Sequence, residues 1–368
     1  MMQDVFIIGA TGRVGATLIN QIIKKGDIDN KLHVNPTRIV GIASSTHTVY
    51  SNKGLSEGQV RSFINKQQDG AKEYTSLSEL FELTGKGHKS GESALVFVDV
   101  TPVNEPMTEF HERIIRSSAH GIVTANKNPV ALSDYKTFQL LTRDPRRYGY
   151  RCSVMAGADA VPFMRDLKDL NDGLHSVNGC LSGTLGYITS ELEKGRTFSE
   201  ILKEAHQKGY TEPHPRDDLS GIDVARKMVV LARAAGFPVG LKDVQISPFI
   251  PKEFLTIGDV GGFLDASAEL DAEFKRMAEG AKKNDNVLRY AAEMSAIGKT
   301  LSIRVSLKEV PRKSPLGTLQ GTLNKIVIVT EAYPNGYTVE APGAGLEVTA
   351  RNIRRDLLEL LPDRKSIV

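Results

Sequence analysis

The chain has 368 residues, 40% of them hydrophobic, and a net charge of +3. That length suits two domains with sizeable cores, while so mild a charge excludes the basic footprint of a nucleic-acid binder. No apolar run reaches the roughly 18 residues of a membrane span, so a small anionic or zwitterionic molecule fits better than nucleic acid or membrane as partner. Met1-Met2-Gln3-Asp4 leads straight into an apolar segment, which points to a cytoplasmic chain with no signal peptide. Cys152 and Cys180 are too few for a disulfide framework and lack the Cys/His spacing of a zinc site, so both read as packed thiols and no metal is expected.

Val5-Phe6-Ile7-Ile8 is a continuous apolar run of the kind that forms a buried parallel strand. Gly9-Ala10-Thr11-Gly12-Arg13-Val14-Gly15 follows, then a helical pattern in Val14, Leu18, Ile19, Ile22 and Ile23. Strand, glycine turn and helix stand in the order a dinucleotide site needs, with pyrophosphate held by the N–H groups at the helix start. The spacing, Gly-x-x-Gly-x-x-Gly, is one residue longer than the usual fingerprint. A second strand over 38–43 ends in Ser44-Ser45, where an NAD-specific site usually places an acid. Without that acid, NADP is permitted beside NAD: Arg13, Ser44 and Ser45 are candidates for the 2′-phosphate, although Arg13 is equally explained as a solvated residue. Strands over 94–101 and 122–124 end in Thr101-Pro102 and in Ala125-Asn126-Lys127-Asn128-Pro129, on the ligand-binding edge of such a sheet. Lys127 reads either as a solvated loop lysine or as a charge that steadies a substrate oxygen or carboxylate.

The pattern changes near Arg151. Helices are predicted over 160–170, 185–194, 198–208 and 220–235, strands over 299–307, 325–330 and 337–340, and a last helix over 346–361 that returns to the first domain and closes over the nucleotide site. The expected organisation is α/β: a Rossmann-type dinucleotide-binding domain, 1–150 with the return 341–368, and an α+β domain for substrate and dimerisation, 151–340.

Residues 209–227 carry the most chemistry. Four carboxylates and three cations gather around Pro213 and Pro215, directly before an apolar helix. Asp223 and Lys227 are four apart and share one helix face, able to orient a substrate and offer it a proton. The plain alternative is a capping box at Ser220 and Asp223 and an ordinary surface ion pair.

Thr124-Ala125-Asn126-Lys127, Leu181-Ser182-Gly183-Thr184-Leu185-Gly186-Tyr187, the 209–227 stretch, Pro315-Leu316 with Gly321 and Asn324, and Pro342-Gly343-Ala344-Gly345 together resemble homoserine dehydrogenases of the monofunctional kind, over nearly the whole chain. The resemblance implies an NAD(P)-dependent oxidoreductase interconverting aspartate 4-semialdehyde and homoserine, in threonine and methionine biosynthesis, working as a homodimer. It implies Lys227 as proton donor and acceptor, Asp223 as its orienting neighbour and Lys127 as a second catalytic lysine. Glu212 would bind the substrate ammonium, with Thr184, Tyr210 and Asp218 lining the same pocket. Gly9, Thr11, Gly12, Arg13, Val14, Gly15, Ser44, Thr101, Asn126, Lys127, Gly209 and Gly343 would hold the NADP or NAD.

One departure concerns a monovalent-cation loop. The family has a glutamate where Arg151 stands, and although Val154 and Ala156 still offer carbonyls, an arginine opposes a bound cation, so the metal site is not carried over. No kinase or C-terminal regulatory domain is expected. Two alternatives remain at this point: a reductase resembling dihydrodipicolinate reductase, which would not call for Glu212, Asp223 and Lys227 together, and a catalytically inert nucleotide sensor, which could do without Lys127 and Lys227.

Overall fold

The structure, a computed structural model, describes residues 2–33, 36–67, 70–85, 94–298 and 300–360. It divides into two units, residues 1–157 with 345–368 and residues 158–344; the change of sequence pattern had suggested breaks at 150/151 and 340/341.

In the first unit β1 (Gln3–Ile8) is followed by α1 (Arg13–Lys24), β2 (Thr37–Ala43), β3 (His47–Tyr50), α2 (Glu57–Ile64), β4 (Lys72–Glu73), α3 (Leu77–Gly85), β5 (Ala94–Asp99), α4 (Glu105–Ser117), β6 (Gly121–Thr124), α5 (Asn128–Ala131), α6 (Tyr135–Thr142) and β7 (Tyr148–Gly149). Among the described residues these strands form one sheet in the order β4-β3-β2-β1-β5-β6-β7, parallel from β2 through β7 with an antiparallel edge at β3 and β4. β1 is buried along its whole length, which explains its unbroken apolar run. Because β2 pairs on one side of β1 and β5 on the other, strand order reverses there, and a crevice opens beyond the carboxyl ends.

The helix Leu346–Glu359 belongs to this unit. Its Ala350, Ile353 and Leu357 share a core with Leu18, Ile19 and Ile22, Arg354 pairs with Asp27 at 2.6 Å, and Gln3 Nε2 donates to the Leu357 carbonyl at 3.0 Å. The expected lid is thereby corrected: the helix has an apolar stripe that needs a core, and it packs on α1 instead of lining the crevice. Leu361, the expected last residue, lies outside the described residues, as does Lys299, the expected first residue of a strand.

The second unit runs α7 (Ala160–Leu170), β8 (Leu174–Cys180), α8 (Gly183–Leu192), α9 (Phe198–Gln207), α10 (Pro215–Leu219), α11 (Ile222–Ala234), β9 (Val244–Ile246), α12 (Val260–Ala266), α13 (Asp271–Lys283), β10 (Asn286–Ile297), β11 (Thr300–Pro311), β12 (Leu323–Thr330) and β13 (Tyr337–Pro342). Its sheet has the order β13-β12-β8-β10-β11-β9, antiparallel except where β9 joins β11. Val177, Met294, Ile303 and Ile328 lie in register on one fully buried face, and α8, α11 and α13 pack against β10.

The single helix expected over 220–235 is broken at its start. Gly221 turns the chain at φ 75° between α10 and α11, so α11 begins at Ile222 without a side-chain cap. Ser220 therefore makes no capping box with Asp223, and its hydroxyl donates to the Asp217 carbonyl at 2.7 Å. A Cβ on Gly221 would stand 1.9 Å from Tyr290 Oη, which donates to the Ser247 carbonyl at 2.8 Å. Gly221→Ala should consequently cost about 2 kcal/mol or more, from the left-handed backbone and the clash together. Urea unfolding checks this, and Tyr290→Phe in the same background should restore part of the loss; no restoration would mean that the contact with Oη is not the cause.

Candidate active site

In the first unit the glycine turn is tied to β2, since the N–H groups of Gly9 and Ala10 both donate to the Ala43 carbonyl at 2.9 Å. Gly12 stands at the N-cap of α1 with no side-chain cap, and the first intrahelical bond runs from Ala16 N–H to the Gly12 carbonyl. The amides of Arg13, Val14 and Gly15 thus have no acceptor within the helix, and no acidic side chain occupies the first turn, a combination suited to an anion. Gly15 permits the turn to pack on the helix, because a Cβ there would lie 2.3 Å from the Gly9 carbonyl oxygen.

A cavity of about 850 Å³ opens before this turn, lined by Gly9, Thr11, Gly12, Ser44, Ser45 and Thr101 together with Tyr74, Leu77, Pro106, Phe110 and Arg113. That volume and mixed lining suit a nucleotide. Arg13, Val14 and Gly15 are not in the lining: Arg13 is exposed at the helix start and Gly15 is buried under the turn, which leaves their backbone amides as what they offer. The Ser44 hydroxyl accepts from His47 N–H at 3.1 Å, and the Tyr74 hydroxyl donates to the Ser44 carbonyl at 2.6 Å, so Ser44 shapes the wall. Tyr74 and Arg113 escaped sequence reasoning because the loop after β4 and the helix α4, distant in the chain, bring them in with no local motif.

The ends of β5 and β6 are braced together. Asp99 Oδ1 accepts from the Thr101 N–H at 2.9 Å and its hydroxyl at 2.8 Å. Asn126 Nδ2 donates to the Val103 carbonyl at 2.6 Å, its Oδ1 accepts from Asn128 N–H at 3.1 Å, and Asn128 Nδ2 reaches the Pro102 carbonyl at 3.0 Å. Thr101, Asn126 and Lys127 therefore lie on adjacent strand ends, with the Asn126 amide serving as the brace and Lys127 half-buried at the start of α5.

In the second unit Lys227 is only 8% exposed. Its Nζ donates to the Leu181 carbonyl at 2.6 Å and lies 2.9 Å from Asp223 Oδ2. The expected helix pair exists, with its lysine end buried and its carboxylate end half-exposed. Thr184, three residues after Leu181, has its hydroxyl 2.6 Å from the Tyr210 carbonyl and 2.8 Å from Asp218 Oδ1, while Asp218 Oδ2 accepts from Glu212 N–H at 2.8 Å. Thr184, Tyr210, Glu212 and Asp218 thus form one bonded group, which leaves the Glu212 side chain exposed. Burial pushes the Asp218 carboxyl up to about 6. The geometry agrees: Thr184 has one proton for two acceptors, and a protonated Asp218 can donate to the Thr184 oxygen and leave the hydroxyl for Tyr210.

Gly209 ends α9 with its N–H on the His206 carbonyl at 3.0 Å and Tyr210 N–H on the Ala205 carbonyl at 2.9 Å, a helix-ending motif that accounts for the glycine. Gly343 lies over Asn324, whose amide would be 2.4 Å from a Cβ there. His214, which the sequence reading passed over, caps α10 by accepting from Arg216 N–H at 3.3 Å.

The 151–157 loop does not fit a monovalent cation. Arg151 is 2% exposed with its Nε on Asp356 at 2.9 Å, the Val154 carbonyl accepts from Gly157 N–H at 3.1 Å, and the Ala156 carbonyl accepts from Asn352 Nδ2 at 2.8 Å.

Two outcomes follow from this geometry. Gly12→Val should weaken nucleotide binding in calorimetric titration at a small cost in melting temperature, its Cβ standing 3.2 Å from the Gly9 carbonyl oxygen, whereas Gly15→Ala should lower the melting temperature more, its Cβ standing 2.3 Å from that oxygen. A raised carboxyl pKa favours the folded state while protonated, so the contribution of Asp218 is full below about pH 4 and is lost as pH rises through about 6. Relative to Asp218→Asn, wild-type unfolding free energy should therefore fall by about 1–2 kcal/mol between pH 4 and pH 7, discounted for partial exposure. Parallel urea curves for the two proteins at both pH values would contradict this.

The sequence model of the family described as homoserine dehydrogenase matches residues 162–358. A bifunctional aspartokinase/homoserine dehydrogenase of Buchnera aphidicola is 33% identical over 362 residues, 97% of this chain and 42% of that protein. The chain spans about two fifths of the length of the curated relatives it matches. Among solved structures, a Candida auris protein of unknown function superposes with a TM-score of 0.85 at 27% identity, covering 98% of both chains. A hyperthermophilic archaeal homoserine dehydrogenase in complex with NADPH shares the fold, with a TM-score of 0.71 at 20% identity and 98% of both chains covered. With more than half of its length, including Thr184, Glu212, Asp218, Asp223 and Lys227, inside that family match, the chain belongs to the homoserine dehydrogenase family.

Proposed function

We propose that this chain catalyses the NAD(P)-dependent interconversion of L-aspartate 4-semialdehyde and L-homoserine, a step toward threonine and methionine. The observation that carries this reading is the interior Lys227, whose ammonium is held between the Leu181 carbonyl and Asp223 in the same stretch as Glu212 and Asp218. Lys227 holds the proton that the aldehyde oxygen needs as it becomes a hydroxyl, and takes it back in the reverse direction. Asp223 orients that ammonium and, with its side chain 42% exposed, links it to solvent for replenishment. Glu212 receives the substrate ammonium through its exposed carboxylate, and Thr184, Tyr210 and Asp218 fix the segment that presents it. Lys127 serves the substrate carboxylate as a second catalytic lysine.

The first unit is assigned the dinucleotide, held by the backbone of Gly9, Thr11, Gly12, Arg13, Val14 and Gly15 and by the walls at Ser44, Thr101 and Asn126. When bound, the dinucleotide supplies or accepts the hydride. Either NADP or NAD is accommodated: Ser44-Ser45 brings no carboxylate to the end of β2, and an archaeal protein of the same fold was solved with NADPH. The second unit is assigned substrate binding and dimerisation, and the protein is taken to work as a cytoplasmic homodimer; light scattering at a single-chain mass would count against the dimer. A reductase resembling dihydrodipicolinate reductase is not favoured, since the family match runs through the acidic segment.

Steady-state kinetics with homoserine separates the roles. Lys227→Ala should lower kcat by about 10²–10⁴-fold with nucleotide affinity unchanged. Glu212→Gln should act mainly on KM for homoserine, by about 1.5–3 kcal/mol, because it keeps shape and loses charge. Folded Lys227→Ala protein with near wild-type kcat would sink the reading.

A further inference from the structure

The turn that ends the first segment of the first unit has an unusual backbone. Met155, Ala156 and Gly157 have φ of 51°, 49° and 90°, three successive residues in the left-handed region, of which two carry side chains. Met155 and Ala156 are buried, so solvent does not relieve them. Such backbone persists only where its surroundings over-determine it.

One stripe of the helix Leu346–Glu359 does this. Asn352, Asp356 and Glu359 are spaced i, i+4, i+7 and therefore share a face. Asn352 Nδ2 holds the Ala156 carbonyl at 2.8 Å. Asp356 accepts from Arg151 twice, from the backbone N–H at 3.0 Å and from Nε at 2.9 Å, and a second guanidinium nitrogen of Arg151 bonds to Glu359. Two glycines let the elements meet: a Cβ on Gly149 would be 2.7 Å from Asp356 Cβ, and one on Gly157 2.5 Å from Asn352 Cβ. Arg151 is the positive charge bonded to Asp356 and Glu359, while Arg351 donates to Asn352 Oδ1 at 2.9 Å, and both carbonyls that a metal ion would need, those of Val154 and Ala156, already have donors.

We propose that Arg151 is a built-in cation: its guanidinium holds the 151–157 turn on the returning helix in the place where the family it resembles has a monovalent-cation loop, so that neither the fold nor turnover of this chain needs one. The guanidinium is suited to the task because it is always charged and its planar fork serves two carboxylates at once, while a covalent cation cannot be diluted away. The statement on turnover rests on the homoserine reading; the statement on the fold does not.

Melting temperature, and kcat for homoserine oxidation, are measured on the full chain in chlorides of sodium, potassium, lithium and choline at one ionic strength. Wild type should melt within about 1 °C and turn over within about 1.5-fold across the series, since a site that binds no ion has no mass-action stabilisation. A melting temperature that climbs with one cation, or a several-fold loss of kcat in choline, overturns the proposal. Arg151→Met keeps the stem and removes the charge; it should lower the melting temperature by about 5 °C or more, because Asp356 and Glu359 lose their partner. An unchanged melting temperature also overturns the proposal. Should Arg151→Met fail to fold, Arg151→Lys reads the same point: an ammonium lacks the fork, so its melting temperature should fall by about 2–5 °C, and equality with wild type counts against the guanidinium. Absence of homoserine turnover leaves the melting series intact, so failure of the proposed reaction and failure of this inference are told apart.

Discussion

A buried ammonium has to be given partners, and the second unit is arranged to provide them for Lys227. An unpaired charge taken out of water costs several kcal/mol at least, so a lysine this far inside is tolerated only where acceptors wait for it. The Leu181 carbonyl is available because β8 stops at Cys180 and α8 does not begin until Gly183, so no strand or helix partner claims it. Asp223 reaches the ammonium because the chain breaks at Gly221 and the helix restarts at Ile222, which puts Asp223 in its first turn, four residues before Lys227. The neighbours of Lys227 on α11, including Val224, Met228 and Leu231, are fully buried and anchor that helix against the sheet. The ammonium is therefore held between a backbone carbonyl and a carboxylate one helical turn away, an arrangement that suits the proton transfer proposed for it.

The first unit meets the opposite need. Its α1 begins with amide donors that lack acceptors, and the sheet brings a crevice to them. What keeps the crevice open is polar bracing beneath its floor. Asp99, 1% exposed, gathers the Thr101 amide and hydroxyl, and His111 joins it to Tyr148, with Nδ1 2.9 Å from the tyrosine oxygen. The loops after β5 and β6 are then fixed by Asn126 and Asn128 side chains bonding to backbone, which replaces the ladder hydrogen bonds that end with the strands.

Elements with a single dominant signal were legible in the sequence. β1 shows as an unbroken apolar run and α7 as a 3.6-residue pattern, because burial of one face dictates their composition. β8 and β10 were missed for the converse reason: β8 carries the polar His175, Ser176 and Asn178 on both of its faces, and β10 buries both faces from Val287 to Ala292 with Arg289 among them, so neither strand shows a strict alternation. The chemical groups of the 209–227 stretch were legible as a cluster, but two facts about them were not. The break at Gly221 depends on Tyr290, almost 70 positions away, and the partner that draws Lys227 inward is a backbone carbonyl, which no side-chain pattern can signal. Tyr74 and Arg113 in the nucleotide cavity were invisible on the same grounds, being brought there by tertiary packing alone.

Three arginines fasten loops in the two units, and their chemistry explains the choice. Arg147 donates to the carbonyls of Ile115, Ser118 and His120, so it closes the carboxyl end of α4, where unpaired carbonyls and the helix dipole favour a cation. Arg289, 1% exposed, donates to the carbonyls of Leu316, Gly317 and Leu319 and to Glu193, which pins the connection between β11 and β12. Arg151 does the same for a left-handed turn by way of two carboxylates. Arg147 and Arg289 each answer three or more acceptors with one side chain, and Arg151 answers two carboxylates. At Arg289, whose carbonyl bonds are buried, a lysine with its donors on a single atom would leave some of those acceptors unmet, at about 1–3 kcal/mol for each. Where the chain leaves regular secondary structure at 115–120 and 316–319, the guanidinium groups of Arg147 and Arg289 supply the donors that a helix or a sheet would otherwise provide, so the carbonyls of those turns are satisfied without a ladder.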